Sequence, residues 1–205
     1  MNEKMETIVA ATKNSHKITE IEAITKLFGM KVISRDAAGV PDVEIEETGE
    51  TFEENSLLKA EGIMKLCGKP TIADDSGLEV DCLGKAPGVY SSRFAGKDGD
   101  DEANNAKLIE MIKEYPPEER TARFVSVITM VFPSGEKLVA RGTVEGHVIP
   151  ELRGEAGFGY DPLFIPEGHT RTFGEFEADE KNSISHRGNA LRKLRELLDE
   201  RKKSV

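Results

Sequence analysis

Two adjacent aspartates, Asp74 and Asp75, directly follow the apolar run Thr71-Ile72-Ala73 and precede Ser76-Gly77. Carboxylates that come straight after an apolar strand stand at a sheet edge, where α/β proteins bind ligands. Mg²⁺ takes one or two carboxylates, several waters and the phosphate oxygens of its substrate. Asp75 together with Glu46, from the acidic pair Glu46-Glu47, supplies such a set. The same letters also describe ordinary structure, since Asp-Ser-Gly is good turn chemistry and a Glu pair alone is a solvated charge run.

Three further stretches carry groups suited to a phosphorylated ligand. Thr12-Lys13-Asn14-Ser15-His16-Lys17 follows a first apolar strand and opens a helix. Free backbone N–H groups at a helix start attract anions, and Lys13 and Lys17 add charge. Asn14 or Ser15 as a plain helix cap is the alternative reading. Gly154-Glu155-Ala156-Gly157-Phe158-Gly159-Tyr160-Asp161-Pro162 combines glycines, which admit close backbone approach, with two aromatics that offer a stacking face for a base. A glycine-rich connector with core aromatics has the same composition. Lys181-Asn182-Ser183-Ile184-Ser185-His186-Arg187 gathers cations before the last helix, where acids would be the usual choice. A ligand supplying negative charge explains that reversal, as does a basic surface cluster.

Other chemistries lack their signatures. There is no G-x-x-x-x-G-K-[ST] loop, no G-x-G-x-x-G after the first strand and no G-x-S-x-G elbow. Cys67 and Cys82 are two isolated cysteines, read as buried free thiols of a reducing cytoplasm. His16, His147, His169 and His186 are scattered, against a zinc site by local spacing.

These residues need a scaffold, and the 205-residue chain is long enough to bury a core in one domain of two closely joined lobes. A net charge of −10 reads first as solubility; it also makes the chain a poor non-specific binder of nucleic-acid polymers, so a phosphate substrate must meet a local basic pocket. No stretch approaches the roughly 20 apolar residues of a membrane span. Met1 to Thr7 is charged and runs into one short strand, without the apolar core of a signal peptide.

The pattern predicts a strand at Ile8–Ala11, then a helix from Ser15 with Ile18, Ile21, Ile24, Leu27 and Phe28 on one face, stopped by Gly29. A second strand spans Met30–Ser34. Thr51 and Glu54 have capping-box spacing for a helix that ends at Gly68 and Pro70. Brief strands follow at Thr71–Ala73 and Leu78–Leu83. A helix over Asp101–Tyr115 turns Ala106, Leu108, Ile109 and Ile112 inward. Phe124–Phe132 and Lys137–Val144 form a hairpin about Pro133-Ser134-Gly135. The last helix covers Gly188–Lys203, with Leu191, Leu194, Leu197 and Leu198 on the buried side. Strands alternating with helices, then a hairpin, predict an α/β fold with a mixed sheet.

In order and spacing, these stretches resemble the inosine triphosphate pyrophosphatase family from Thr12 to Arg187. T-x-N-x-x-K is matched by Thr12, Asn14 and Lys17, and E-E-T-G-x-T-F by Glu46 to Phe52. A-D-D-S-G-L is matched by Ala73 to Leu78, and A-P-G-x-x-S-x-R by Ala86 to Arg93. F-G-Y-D-P is matched by Phe158 to Pro162, and K-x-x-x-S-H-R by Lys181 to Arg187. Ala156 departs from the family's glycine pair before Phe-Gly-Tyr-Asp.

The resemblance implies an elongated mixed sheet flanked by helices, two lobes with a nucleotide groove between them, and a cytoplasmic homodimer. It implies Mg²⁺-dependent hydrolysis of ITP, dITP and XTP to the monophosphate and pyrophosphate. Glu46 and Asp75 are then the metal contacts and Asp75 the proton acceptor. Thr12, Lys13, Asn14, Ser15, His16 and Lys17 grip the phosphates. Ser76, Phe158, Gly159, Tyr160, Asp161, Lys181, His186 and Arg187 hold the nucleotide.

Overall fold

The computed structural model describes residues 7–203; Met1 to Glu6, most of the charged opening segment, lie outside the described residues. Six strands form one sheet: β1 (Thr7–Ala10), β2 (Lys31–Ser34), β3 (Thr71–Val80), β4 (Thr121–Val131), β5 (Lys137–Val148) and β6 (Phe164–Pro166). The helices are α1 (Ser15–Leu27), α2 (Phe52–Cys67), α3 (Asp101–Ile112), α4 (Ala178–Ile184) and α5 (His186–Lys203). The strand order is β2-β1-β3-β4-β5-β6. β1 runs parallel to β2 and β3, and β5 antiparallel to β6, so the sheet is mixed and the fold α/β. No described helix is long and apolar enough to cross a membrane.

The chain divides into two compact units. The first comprises Met1–Asp75, Ser126–Gly142 and Arg187–Val205, the second Ser76–Val125 and Thr143–His186. In the first unit, successive strand residues point to opposite faces and build two separate cores. Ile8, Ala10, Ile72, Ile128 and Met130 pack with Ile21 and Ile24 of α1 and with Leu191 and Leu194 of α5. Val9, Ala11, Ala73 and Val131 pack with Ala60 and Ile63 of α2. The second unit is centred on Leu78, Val80, Phe124 and Phe164 with Leu108 and Ile112 of α3 and with Phe173. Phe124 meets Phe164 edge-on at 4.8 Å.

Local sequence chemistry explains the helix ends. Thr51 Oγ1 accepts from the Glu54 N–H and the Glu54 carboxylate reaches back to the Thr51 N–H, so the capping box is complete. Gly68 closes α2 in the left-handed conformation at φ 63°. The Asn14 side chain caps α1 by accepting from the Lys17 N–H.

Several expectations change. The two brief strands expected around Asp74–Gly77 are one ten-residue strand, β3, and Leu83 ends a 3₁₀ turn beyond it. Asp74-Asp75-Ser76-Gly77 is therefore strand and not turn, because its acids find buried partners instead of solvent. The helix expected to reach Tyr115 ends at Ile112. Ala106 is exposed, and Asn104 and Asn105 take the inward positions. They do so because Asn104 accepts from the Ala95 N–H and Asn105 donates to the Gly159 carbonyl. Leu27 is exposed. β5 extends to Val148, β6 and α4 are additional, and α5 begins at His186. Cys67 and Cys82 are free thiols, both half-buried.

Candidate active site

β1 pairs with β3 only as far as Ala10 and Ile72. Asp74 and Asp75 therefore lie past the carboxyl end of β1, the position at which α/β sheets expose ligand-binding groups. The strand's alternation separates the two acids. Ile72 and Asp74 share the face covered by α1 and α5, whereas Ala73 and Asp75 share the face covered by α2.

Asp75 is buried, and its Oδ1 accepts from Lys59 Nζ of α2 at 2.8 Å. Its Oδ2 is buried and meets no hydrogen-bond donor among the described residues. An orphaned carboxylate oxygen is costly unless a cation or donor arrives from outside the chain. Burial pushes the Asp75 carboxyl up from its ordinary value, against the pull of Lys59 and Lys17. Lys59 also pairs with Glu47 at 3.2 Å. Burial works to lower its ammonium, and Asp75 and Glu47 outweigh that and raise it.

Glu46 is exposed on the connector before α2. The connector is fastened by Asn55 of α2, whose Oδ1 accepts from the Gly49 N–H at 2.8 Å. A Cβ on Gly49 would lie 2.6 Å from Glu54 Cβ, so only glycine fits. Among the described residues no three His, Cys, Asp or Glu side chains gather as a metal group. The donor set on offer is thus one buried carboxylate with an unmet oxygen, to which Glu47 is linked through Lys59. That matches Mg²⁺, which draws most of its ligands from water and phosphate.

On the other face, Asp74 is a fully buried hub. Its Oδ2 accepts from Lys17 Nζ at 2.9 Å and from Arg187 Nη2 at 3.1 Å. Its Oδ1 accepts from Ser126 Oγ of β4 at 2.6 Å. Burial works against the charge on Asp74, but Arg187 and Lys17 overcome it and hold the carboxyl well below the usual carboxylate range. Arg187, also buried, makes a second ion pair with Glu20 of α1. Within the opening stretch, Thr12 Oγ1 accepts from the Asn14 N–H, Lys13 pairs with Asp42 at 2.5 Å, and Ser15 and His16 are exposed.

The second unit holds the glycine-rich stretch in a fixed shape. Asp161 is buried, and its Oδ2 accepts from the Phe158 N–H at 2.9 Å and from Lys181 Nζ at 2.6 Å. The same ammonium lies 4.8 Å from the centroid of the Phe158 ring. Gly157 has φ 76°, and a Cβ there would sit 2.0 Å from Asp161 Oδ2. Gly159 donates to Asp101 and accepts from Asn105. The exposed Ala156 uses its N–H on the Gly174 carbonyl at 2.9 Å. Of the two aromatics, Phe158 is half-buried, whereas Tyr160 is a core residue that donates to the Ser91 carbonyl. Ser76 is half-buried at the start of this unit, and His186 stacks flat on Phe124, with ring centroids 4.7 Å apart.

Some of the expected residues fall into two internally connected groups, the first built around Asp74. Asp74, Lys17 and Arg187 belong to the first, and Phe158, Gly159, Asp161 and Lys181 to the second. Glu46 and Asp75 are not joined by a direct contact. Sequence reasoning passed over Lys59, Ser126 and Glu20. Lys59 had a signal: with Phe52, Asn55, Ser56, Ala60 and Ile63 it falls on one helical face, and a lysine among inward positions requires a buried acid.

The Ham1 family pattern matches residues 8–197. A dITP/XTP pyrophosphatase of Clostridium perfringens is 48% identical over 200 residues, covering 95% of this chain and 98% of the relative. One from Bacillus subtilis is 47% identical over 195 residues, covering 95% and 98%. The structure of the Staphylococcus aureus Ham1 protein superposes with TM-score 0.84 at 41% identity, covering 96% of this chain and all of that one (100%). A nucleoside-triphosphatase, dITP/XTP pyrophosphatase, from Mycobacterium abscessus gives 0.74 at 42%, covering 92% and 98%.

Proposed function

The chain belongs to the Ham1 family, and from that premise we propose that it hydrolyses non-standard purine nucleoside triphosphates. The substrates are dITP, ITP and XTP, the products the monophosphate and pyrophosphate, and the effect their removal from the nucleotide pool. The observation that carries the reading is Asp75, buried with one oxygen held by Lys59 and the other unmet. It sits in a chain whose relatives are named dITP/XTP pyrophosphatases.

Asp75 and Glu46 would hold Mg²⁺. When bound, the ion supplies neutralisation of the phosphate chain and a polarised water. Asp75 accepts the proton of the water that attacks the α-phosphorus; its Oδ2, which meets no donor among the described residues, is the oxygen open to that role. Lys59 keeps Asp75 in one orientation. Lys17 and Lys13, with the N–H groups of Ser15 and His16 at the start of α1, meet the charge that develops on the leaving pyrophosphate. Thr12 supports this turn by holding the Asn14 N–H.

For the nucleoside, Phe158 offers its ring face, while Asp161 and Lys181 keep the Phe158-Gly159-Tyr160 backbone in place. Ser76 and His186 complete the nucleotide contacts by family likeness, while Arg187 is engaged inside the first unit by Asp74 and Glu20. A donor facing position 6 of the base favours the keto group of hypoxanthine and xanthine over the amino group of adenine. That mismatch is worth about 1–3 kcal/mol, or roughly ten- to hundredfold in kcat/KM.

Pyrophosphate release from ITP, XTP, GTP and ATP, with and without Mg²⁺, tests the reading. Release from ITP and XTP that needs the metal supports it; no release from any of the four sinks it. Hydrolysis in ¹⁸O water places the attack, because label found only in pyrophosphate excludes the α-phosphorus. The family likeness further carries a cytoplasmic homodimer, for which sedimentation equilibrium and cell fractionation are the checks.

A further inference from the structure

Asp74 is fully buried, yet it gathers more charge than any other acid described above. We propose that Asp74 is a positioning residue: it holds the Lys17 ammonium in the orientation in which that ammonium meets the phosphate chain. The proposal rests on the functional reading above, in which Lys17 binds phosphate.

Four observations carry it. The Asp74 carboxylate cannot turn, because Ser126 Oγ holds Oδ1 at 2.6 Å while Lys17 and Arg187 share Oδ2. Arg187 cannot leave, being buried and ion-paired with Glu20 on its other side. Within this cluster the side-chain exposures are 0% for Asp74, 1% for Arg187, 13% for Glu20 and 16% for Lys17, so the lysine is the member nearest solvent. An ammonium has three donors, so the bond to Asp74 at 2.9 Å leaves Lys17 able to donate to phosphate oxygens. A lysine stem is otherwise flexible, and fixing it before the substrate arrives removes an ordering cost from the reaction.

A double-mutant cycle in the full chain tests this, reading kcat and KM for ITP by pyrophosphate release. Lys17→Met is expected to lower kcat about 100-fold, the usual scale for a lost charge-stabilising donor. Asp74→Asn is expected to lower kcat at least tenfold with little change in KM. In the Asp74→Asn background, Lys17→Met should cost less than about threefold more. A merely structural carboxylate would reduce the amount of folded enzyme to the same extent with or without Lys17. Fully additive losses therefore overturn the proposal. If circular dichroism shows that Asp74→Asn is unfolded, Ser126→Ala replaces it, since that change removes one hydrogen bond to Asp74 and no charge. Its loss of a few fold in kcat must vanish when Lys17 is Met, and persistence of that loss overturns the proposal. Failure of the wild-type chain to release pyrophosphate sinks the functional reading itself; additivity in an active enzyme sinks this proposal alone.

Discussion

Asp74 and Asp75 are consecutive residues of one strand that face opposite sides of the sheet, one toward Lys17 and Arg187, the other toward Lys59. Two acids that read alike in sequence therefore occupy different electrostatic settings. Asp74 is saturated with cations and its carboxyl is pulled down, whereas Asp75 keeps an unmet oxygen and its carboxyl is pushed up. The residue with spare bonding capacity is suited to proton transfer, and the saturated one to fixing its neighbours.

Replacing Asp75 by Asn removes the base while keeping the shape. Turnover of ITP should fall by about 10²–10⁴-fold, the usual contribution of a positioned proton acceptor. Pyrophosphate release measures it, with the unfolding midpoint as a control for fold. Retention of most of the activity would remove Asp75 as the base.

Asp74 predicts a pH dependence of stability. Its folded carboxyl lies well below the ordinary value. Its stabilising contribution is therefore fully present above the unfolded value of about 3.9 and is lost as pH falls toward the folded one. Urea midpoints from pH 7 to pH 2 should decline below about pH 4 in the wild type. Asp74→Asn should start about 3–5 kcal/mol lower, because Arg187 and Lys17 lose a buried partner, and should show a shallower acid slope. An unchanged slope would contradict the assignment.

The two glutamates before α2 should separate in their metal response. Glu47 is engaged by Lys59, and Glu46 is exposed. Glu46→Gln should raise the Mg²⁺ concentration for half-maximal activity by roughly tenfold, on the scale of lost metal-site support, with Glu47→Gln well below that. Titrating activity against Mg²⁺ decides between them. The reverse order would make Glu47 the metal contact.

Gly157→Ala combines an unfavourable backbone conformation, worth about 1–2 kcal/mol, with a clash against Asp161. The Phe158 segment should shift. KM for ITP should then rise about tenfold while kcat stays within about threefold, because misplacement of a binding surface need not disturb the reacting groups. An equal fall in kcat with unchanged KM would place the Phe158 segment in the chemical step.

How much of this was legible depended on sequence distance. The α2 cap was readable from Thr51 and Glu54 because both halves of the motif lie within one turn. β1, α1 and the β4–β5 turn were likewise local patterns. The continuation of β3 through Asp74 was not, since Ser126 lies 52 positions away and Arg187 113. Read alone, Asp-Asp-Ser-Gly is turn chemistry, and only distant cations make it strand. Ala106 and Leu27 misled because periodicity gives the side of a helix but not what covers it. Arg187 was noticed as a donor, but its two acidic partners come from elements no local window contains.

The first unit's core draws on Leu191 and Leu194 of α5 as well as on β1 and α1. A chain leaving the ribosome carries Lys17 and Asp74 long before it carries Arg187. At synthesis rates of about 5–20 residues per second, the 113 positions between Asp74 and Arg187 take roughly 6–23 seconds. During that interval the carboxylate has one of its two cations and the core lacks one of its helices. A message cut short before codon 187 therefore yields a protein in which the acid beside Asp75 is incompletely neutralised. Translation through Arg187 becomes a precondition for the arrangement around Asp74.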